Sequence, residues 1–513
     1  MPQAAFQTPH AEIANAARGD CHRRTRKLKR RLRGFFSPPV DHLNPTKLIN
    51  PIKNSMKRLS LLSVLLLAAL FSAAAQQKSL RELQQAFVDL RFGMFIHYNM
   101  PTYSIEDWPD PDMPVSAFAP TRLDCRQWAQ AAKAAGMTYG CLTTKHHSGF
   151  CIWDTQTTDY NSMQSPAHVD VVRQYVDAFR QEGLAVMLYF SILDTHHRIR
   201  PGHIKPEHTK FIKAQLKELL TNYGDITALI IDGWDAPWSR ISYDEISFPE
   251  IYDYVKSLQP NCLLMDLNAA KYPREALFYT DIKSYEQGAG QKISTSENRL
   301  PALACLSIQR TWFWKESMPT DRLKDVRWLV EENIRPYNEA YCNFILNVAP
   351  NREGRMDDNA VEALRRIGKI WKHEGPTKPL PECDAPITRQ NIAKQKPTEY
   401  SWSNDYGIGD FANDDDFSSA WTSHPTVEEP WWEVDLKGKK RISLVTIVEE
   451  TKGSIQTYKL EYKKSKRWHT IFEGLAPECR VKQHRFSPVK AEKVRITIKR
   501  HHGKLALAEV GVY

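Results

Sequence analysis

Most of this sequence lacks an excess of charge of either sign. The chain of 513 residues has a formal charge of +10 at pH 7, from 70 Lys and Arg against 60 Asp and Glu. Residues 1–75 hold 13 of the basic and 3 of the acidic residues, which leaves 57 of each in residues 76–513. A neutral body gives no electrostatic basis for a polyanionic partner, so we do not expect nucleic acid as a ligand.

The cysteines show no pattern typical of a metal or redox site. Eight of the nine lie after residue 75, and none forms a CxxC pair. Several fall in apolar runs such as 341–346, where a thiol behaves as a small hydrophobic side chain. We therefore expect core cysteines, while a disulfide stays open for an exported protein.

Only one apolar run approaches the length of a membrane span. Residues 59–75 fall short of the ~20 residues that a spanning helix needs, follow Met56-Lys57-Arg58 and end in three alanines. This pattern is typical of a secretory signal at residues 56–75, cleaved after Ala75. We expect an exported protein, periplasmic or secreted, without a stable membrane anchor. We also expect translation to start at Met56, so that residues 1–55 are an over-extended or disordered basic N-terminus.

Strand-like and helix-like segments alternate between residues 92 and 348. The strand candidates are 92–98, 139–145, 184–191, 228–234, 262–268, 276–286, 305–311 and 342–348. The helix candidates between them are 123–136, 169–183, 206–223, 248–258 and 320–335. Uniformly apolar strands separated by helices indicate a parallel sheet, and eight such units favour a (β/α)₈ barrel over residues 76–373. A doubly wound open sheet is the alternative, but no glycine-rich turn follows the first strand.

The pattern changes after the barrel. Residues 374–392 are rich in proline and indicate a linker. Short alternating strands separated by turns follow in residues 393–513, which is typical of an antiparallel β-sandwich. We therefore predict an α/β barrel followed by a C-terminal β-sandwich with its own core.

Polar side chains gather where the candidate strands end. His97, His146-His147, Asp232 and Glu286 occupy such positions, and the strand ends of a barrel surround its active site. Two carboxylates beside aromatic and imidazole groups are what glycoside cleavage requires. A metal site built from the histidine pair and Asp232 is the alternative, but adjacent residues of a strand point to opposite faces, which favours sugar binding.

Five segments resemble glycoside hydrolase family 29, the α-L-fucosidases, in family order. They are FGMFIHYNMPTYSIEDW (92–108), TTKHHSGFCIWDT (143–155), MLYFSILDTHH (187–197), ALIIDGWDAPW (228–238) and FILNVAPNREGRM (344–356). The resemblance implies a glycoside hydrolase without a cofactor that removes terminal α-L-fucose from fucosylated glycans. It also implies a retaining mechanism through a covalent fucosyl-aspartate.

The resemblance assigns roles to individual residues. It implies Asp232 as the nucleophile and Glu286 as the acid/base, with Glu297 and Glu275 as fallbacks. A second family glutamate is replaced here by Leu303, which strengthens Glu286. The implied substrate contacts are His97, Glu106, Trp108, His146, His147, Tyr189, Trp234 and Trp312.

The C-terminal region resembles discoidin (F5/8 type C) domains, a group that includes carbohydrate-binding modules of family 32 and has a galactose-binding-like jelly roll. The acidic turn with Asp414, Asp415 and Asp416 matches a position where relatives often hold a structural calcium. An acidic turn without calcium is the alternative. The tryptophans at 421, 431 and 432 are expected in the core.

Two alternative functions stay open. The chain could be a non-catalytic glycan-binding protein on this scaffold, although the presence of both Asp232 and Glu286 argues against that. It could also be a retaining glycosidase for a related sugar such as a galactoside. Fucosidases of broad specificity and those restricted to branched α1,3/4-linked fucose share these motifs, so the linkage is not assigned.

Overall fold

The computed structural model describes residues 77–404 and 406–513. The predicted N-terminal extension and the signal segment at 56–75 lie outside these residues. The described part contains a sheet of eight parallel strands that are buried along nearly their whole length. The strands are β1 (Phe92–Ile96), β2 (Tyr139–Lys145), β3 (Ala185–Ser191), β4 (Ala228–Asp232), β5 (Leu263–Asp266), β6 (Lys283–Glu286), β7 (Ala302–Ser307) and β8 (Cys342–Asn347).

The eight strands form a nearly closed barrel. Their hydrogen-bonded order is β5-β4-β3-β2-β1-β8-β7-β6. Across the remaining gap, the backbone N–H of Asp281 donates to the carbonyl of Leu264 at 2.8 Å. The (β/α)₈ barrel predicted from the alternating pattern is confirmed.

Amphipathic helices cover the barrel. They are α1 (Leu80–Asp89), α2 (Cys125–Ala134), α3 (Val171–Gln181), α4 (Pro206–Asn222), α5 (Phe248–Leu258), α6 (Val326–Leu329), α7 (Arg335–Glu339) and α8 (Asp358–Ile370). Side-chain caps define several starts: Asp170 accepts from the backbone N–H of Arg173, and Ser247 accepts from that of Glu250. None of the helices among the described residues is long and apolar enough to cross a membrane.

Three predicted elements differ clearly from the structure. The sixth strand spans only Lys283–Glu286 rather than 276–286. The seventh strand spans Ala302–Ser307 rather than 305–311, because the chain turns at Ser307, whose hydroxyl donates to the Thr311 carbonyl. The helix expected over 320–335 begins only at Val326 and passes through a π-helical turn, Val330–Ile334, into α7. Pro336 lies in the first turn of α7 and has no N–H to continue a regular helix.

The C-terminal region is the predicted antiparallel structure. Its strands are β9 (Thr398–Tyr400), β10 (Trp421–Thr422), β11 (Trp431–Glu449), β12 (Ile455–Lys464), β13 (Arg467–Leu475), β14 (Val481–His501) and β15 (Ala506–Val512). They pair in the order β10-β15-β11-β14-β12-β13, with β9 on β11. Trp421 and Trp432 are fully buried in its core as expected, whereas Trp431 is only partly buried.

This region also shares apolar packing with the barrel. Leu444, Val448, Val481 and Ala508 belong to the same buried cluster as the barrel helices and strands. The ring of Phe417 packs edge-on against barrel aromatics, Tyr272 and Phe278, with ring centroids 5.4 and 5.5 Å away. The two regions are therefore joined by buried surface as well as by the linker.

The cysteines of the described residues are free thiols. Six are buried, which agrees with the expected core positions: Cys125, Cys141, Cys151, Cys262, Cys305 and Cys342.

Candidate active site

A cavity of about 180 Å³ opens at the carboxyl ends of the barrel strands. Its wall combines two carboxylates predicted to be catalytic, three histidines and several aromatic rings. The lining residues are Phe95, His97, Asp107, Trp108, His146, His147, Tyr189, Asp232, Trp238, Leu267, Glu286, Cys305, Trp312 and Phe313.

Asp232 ends β4 and is held by one donor from β3 and one from the turn after β5. The hydroxyl of Tyr189 donates to Oδ2 at 2.7 Å, and the amide of Asn268 donates to Oδ1 at 3.0 Å. Nε2 of His147 lies 3.6 Å from Oδ2. The residue is 3% exposed, so buried hydrogen bonds hold its carboxyl group in place.

The three histidines are buried and favour the neutral form. Burial lowers the pKa of His97 to about 3, and it lowers the pKa values of His146 and His147 as well. Nδ1 of His97 bonds Oδ1 of Asn347 at 2.8 Å, and Nδ1 of His147 bonds the Ser191 hydroxyl at 2.7 Å. Neutral imidazoles fixed in this way can both donate to and accept from substrate hydroxyls.

His146 differs from the other two histidines. Within the described part of the chain, its Nδ1 is buried and has no hydrogen-bond partner. A buried polar atom without a partner is costly, so this nitrogen is available to a ligand in the cavity.

A buried ion pair lies directly beside the histidine motif, His146-His147. The ammonium of Lys145 contacts the Asp194 carboxylate at 3.2 Å and the Gln215 amide oxygen at 2.8 Å. The loop of Asp194 returns to the motif, because the backbone N–H of Thr195 donates to the carbonyl of His147 at 2.8 Å. The loops after β2 and β3 are thereby fastened to each other.

Glu286 ends β6 and lines the same cavity as Asp232. Burial raises the pKa of Glu286 to about 7, and the negative charge of Asp232 adds to this rise, while a hydrogen bond with Trp312 opposes it. A carboxyl group with a raised pKa beside a second carboxyl group suits the acid role in such a site.

The fallback carboxylates lie elsewhere. Glu275 and Glu297 both contact Arg274, at 3.6 and 2.6 Å, and line a different cavity. Of the three glutamates proposed for the acid/base, Glu286 is therefore the one that the fold brings to Asp232.

Two of the expected substrate contacts are not brought to the cavity. Trp234 is fully buried, its indole N–H donates to the Ile246 carbonyl at 2.8 Å, and it packs against the ring of Tyr243. Glu106 is exposed, and its neighbour Asp107 lines the cavity instead. The expectation for Trp234 needs correction, because a fully buried ring has no surface for a substrate, whereas the role of Glu106 stays a prediction. Beyond a strand end, residue spacing no longer tells which side chain turns inward.

Several lining residues escaped the sequence analysis. Asp107 and Trp238 are present in the quoted segments, yet their loops carry no periodic pattern that would single them out. Asn268 and Phe313, in contrast, are among the polar and aromatic residues that the sequence places at strand ends. Asn268 does not line the cavity, but its amide bonds Asp232. Phe313 lines the cavity and packs on the His97 ring, with ring centroids 5.1 Å apart.

The acidic turn of the C-terminal region does not gather metal ligands. The ammonium of Lys394 bonds the Asp415 carboxylate at 3.0 Å, and Asp414 and Asp416 accept from nearby backbone and serine groups. In the described ranges, no group of three or more His, Cys, Asp or Glu is placed to hold a metal ion. Because calcium also binds backbone and amide carbonyl oxygens, the calcium considered for this turn stays a prediction.

Comparison with known proteins gives two family matches. The alpha-L-fucosidase family model matches residues 66–376, and the F5/8 type C domain model matches residues 394–510. Alpha-L-fucosidase 1 of Arabidopsis thaliana is 29% identical over 307 residues, which are 54% of this chain and 57% of that protein. The chain thus spans little more than half the length of that relative.

Two further relatives extend the comparison. The alpha-L-fucosidase of Branchiostoma floridae is 24% identical over 395 residues, 67% of this chain and 84% of that one. The solved structure of a GH29 fucosidase from Ruminococcus gnavus in complex with fucose has a TM-score of 0.46 and 19% identity, covering 86% of this chain and 96% of that chain.

Proposed function

The chain belongs to the α-L-fucosidase family, and we propose on that premise that it is a retaining α-L-fucosidase acting on terminal fucose of glycans. The observation that carries the proposal is the shared cavity of Asp232 and Glu286. One carboxylate is held by two donors, and the other has a raised pKa of about 7. Retaining glycosidases need such a pair of a charged nucleophile and a protonated acid.

The reaction proceeds in two displacements. The Asp232 carboxylate attacks the anomeric carbon, the bond to the leaving oxygen breaks, and Glu286 gives its proton to that oxygen. Water then attacks the anomeric carbon, and Glu286 takes a proton from this water. The bond between the sugar and Asp232 breaks, and Asp232 leaves as a carboxylate. Two inversions at one carbon retain the configuration of the sugar.

The cavity supplies contacts for a monosaccharide. The buried imidazoles of His97, His146 and His147 are neutral partners for hydroxyl groups, and Trp312 offers an apolar ring face. The raised pKa of Glu286 favours an enzyme over a non-catalytic glycan-binding protein, because a site that only binds sugar does not require a carboxyl group whose pKa is raised toward 7.

The direct test uses aryl α-L-fucoside and aryl β-D-galactoside in parallel. We expect release of the aryl group from the fucoside, with α-L-fucose as the first-formed anomer by proton NMR. A first-formed β anomer would contradict retention. Turnover of the galactoside alone would assign another sugar, and binding of fucose without turnover of either compound would assign a non-catalytic protein.

Export is the second part of the proposal. It rests on the apolar run 59–75 with its basic start and alanine end. Expression from Met56 in a bacterial host, followed by N-terminal sequencing of the extracytoplasmic protein, should give Gln76 as the first residue. Intact protein that keeps residues 56–75 in the cytoplasm would contradict it.

A further inference from the structure

A buried hydrogen-bonded chain leads away from Asp232 into the barrel wall. The amide of Asn268 donates to Oδ1 of Asp232 at 3.0 Å, and the backbone N–H of Asn268 donates to Oδ1 of Asp266 at 2.9 Å. The other oxygen of Asp266 accepts from the hydroxyl of Tyr243 at 2.6 Å. Each oxygen of Asp266 thus has one donor, and one of these donors belongs to the residue that contacts the nucleophile.

We propose that Asp266 is a positioning residue, which holds Asn268 so that its amide points at the nucleophile Asp232. The proposal rests on the proposed function. It assigns a role in turnover to Asp266 and Tyr243, whose side chains do not line the cavity.

The local geometry explains why Asn268 needs such support. β5 ends at Asp266, and a short 3₁₀ turn begins directly after Asn268. The carboxylate of Asp266 closes a turn on the backbone two residues ahead, a contact by which Asp commonly directs the chain. Without it, the amide of Asn268 would be held only by its bond to Asp232, which itself must move during the reaction.

Burial makes this arrangement specific. Asp266 is fully buried and Asn268 is 4% exposed, so water cannot replace a lost partner without rearrangement. The Tyr243 ring is fixed in turn by stacking on Tyr279, with centroids 4.3 Å apart and planes at 13°. The chain from Tyr243 to Asp232 is therefore a rigid support rather than a surface contact.

The same fold contains a matched control. Asp281 is also fully buried and also accepts from a tyrosine hydroxyl, that of Tyr252, at 2.9 Å. Its other oxygen accepts from the backbone N–H of Leu264, at 2.9 Å, and contacts the Lys256 ammonium at 2.8 Å, so the pair supports the barrel without reaching the cavity. Y252F therefore removes a buried bond similar to that of Tyr243, and D281N costs at least as much stability as D266N, because it also breaks the ion pair with Lys256.

The test is a double-mutant cycle on D266N, N268A and D266N/N268A, with Y243F as the mildest variant. The first chemical step and KM are measured on an aryl α-L-fucoside, and the affinity for a fucose-configured iminosugar is measured by calorimetry. We expect N268A to slow the step about 10- to 100-fold, the scale of a hydrogen bond to a charged group, with KM nearly unchanged. D266N should lose part of this factor, because its single acceptor oxygen cannot serve the Asn268 N–H and the Tyr243 hydroxyl as two separate oxygens do. Because Asp266 acts through Asn268, the double variant should be no slower than N268A.

The controls separate positioning from stability. Y252F should lower the melting temperature about as much as Y243F, and D281N at least as much as D266N, while the chemical step keeps its rate in both. D266A should be slower than D266N, because the asparagine oxygen can still accept from the Asn268 N–H.

Three results would overturn the inference. They are an unchanged chemical step in D266N and Y243F, rate losses that multiply in the double variant, or equal losses in D281N. A wild-type protein that neither turns over the fucoside nor binds the iminosugar would instead overturn the proposed function, and this inference with it.

Discussion

The pKa of Glu286 is raised to about 7 by burial and by the negative charge of Asp232, which lines the same cavity. Asp232, in contrast, is bonded to donors from Tyr189 and Asn268. The environment therefore favours a proton on Glu286 near neutral pH, beside a carboxyl group that is held in place by hydrogen bonds, and a retaining glycosidase needs such an acid next to its nucleophile.

Asp232→Ala should abolish turnover. Removing a covalent nucleophile should cost at least about 1000-fold in kcat, because the covalent intermediate forms on this carboxylate. The rate on an aryl α-L-fucoside and the thermal melt are the measurements. Asp235→Ala is the control, since this next carboxylate is exposed and pairs with Lys271. Retention of more than about a tenth of the rate in Asp232→Ala would contradict the nucleophile role.

Glu286→Ala should discriminate between leaving groups. An activated aryl fucoside needs no protonation, so formation of the fucosyl-enzyme should be nearly unchanged, whereas a poor leaving group should react far more slowly. Azide should then restore breakdown and give a fucosyl azide of the same anomeric configuration as the substrate. The matched control is Glu297→Ala, which should behave as wild type. Equal losses on both substrates, with no azide product, would exclude Glu286 as the acid/base.

The pH profile should report the protonation of Glu286. Its acid role requires the protonated form, so kcat/KM should fall as the pH rises through about 7. The hydrogen bond with Trp312 lowers the pKa of Glu286, so Trp312→Phe should move this basic limb to higher pH. Trp328→Phe, at a tryptophan outside the cavity lining, should leave the limb in place. If the basic limb of the kcat/KM profile persists in Glu286→Gln, the limb reports another group and the prediction is wrong.

Trp238→Ala should affect glycans more than small substrates. Trp108 and Trp238 line the cavity yet are 46% and 40% exposed, and their loops follow β1 and β4, which lie on nearly opposite sides of the barrel. The exposed ring faces of these two tryptophans are suited to contact the sugar residue to which the fucose is linked in a glycan. We expect kcat/KM to fall about tenfold for a fucosylated oligosaccharide and little for an aryl fucoside. Trp328→Ala, at 44% exposure elsewhere, is the control. Equal losses on both substrates would contradict the assignment.

Deleting residues 393–513 should destabilise the barrel, although the proline-rich linker suggests independent units. The deletion removes Leu444, Val448 and Phe417 from their barrel partners and exposes apolar surface. We expect a lower melting temperature and aggregation, measured by calorimetry and light scattering. A truncated barrel that melts as high as the full chain would show that the shared surface contributes nothing.

The sequence by itself determined the architecture and most of the strand-end chemistry. β2 and α5 have the bounds expected from their apolar patterns, Tyr139–Lys145 and Phe248–Leu258. Asp232 and Glu286 could be placed together because parallel strands of a barrel end at one rim. Regular elements with a clear period constrain their side chains locally, so no distant contact is needed to read them.

Tertiary structure decided the loops and the contacts between strands. Trp234 and Trp238 stand in one segment, and the chain turns there through positive φ angles at Gly233 (111°) and Asp235 (41°). A Cβ at Gly233 would lie 2.9 Å from the backbone N of Leu193, so a neighbouring loop shapes this turn. The bonds that join Tyr243, Asp266, Asn268 and Asp232 likewise cross three separate segments. Such contacts depend on how elements pack, which local periodicity does not encode.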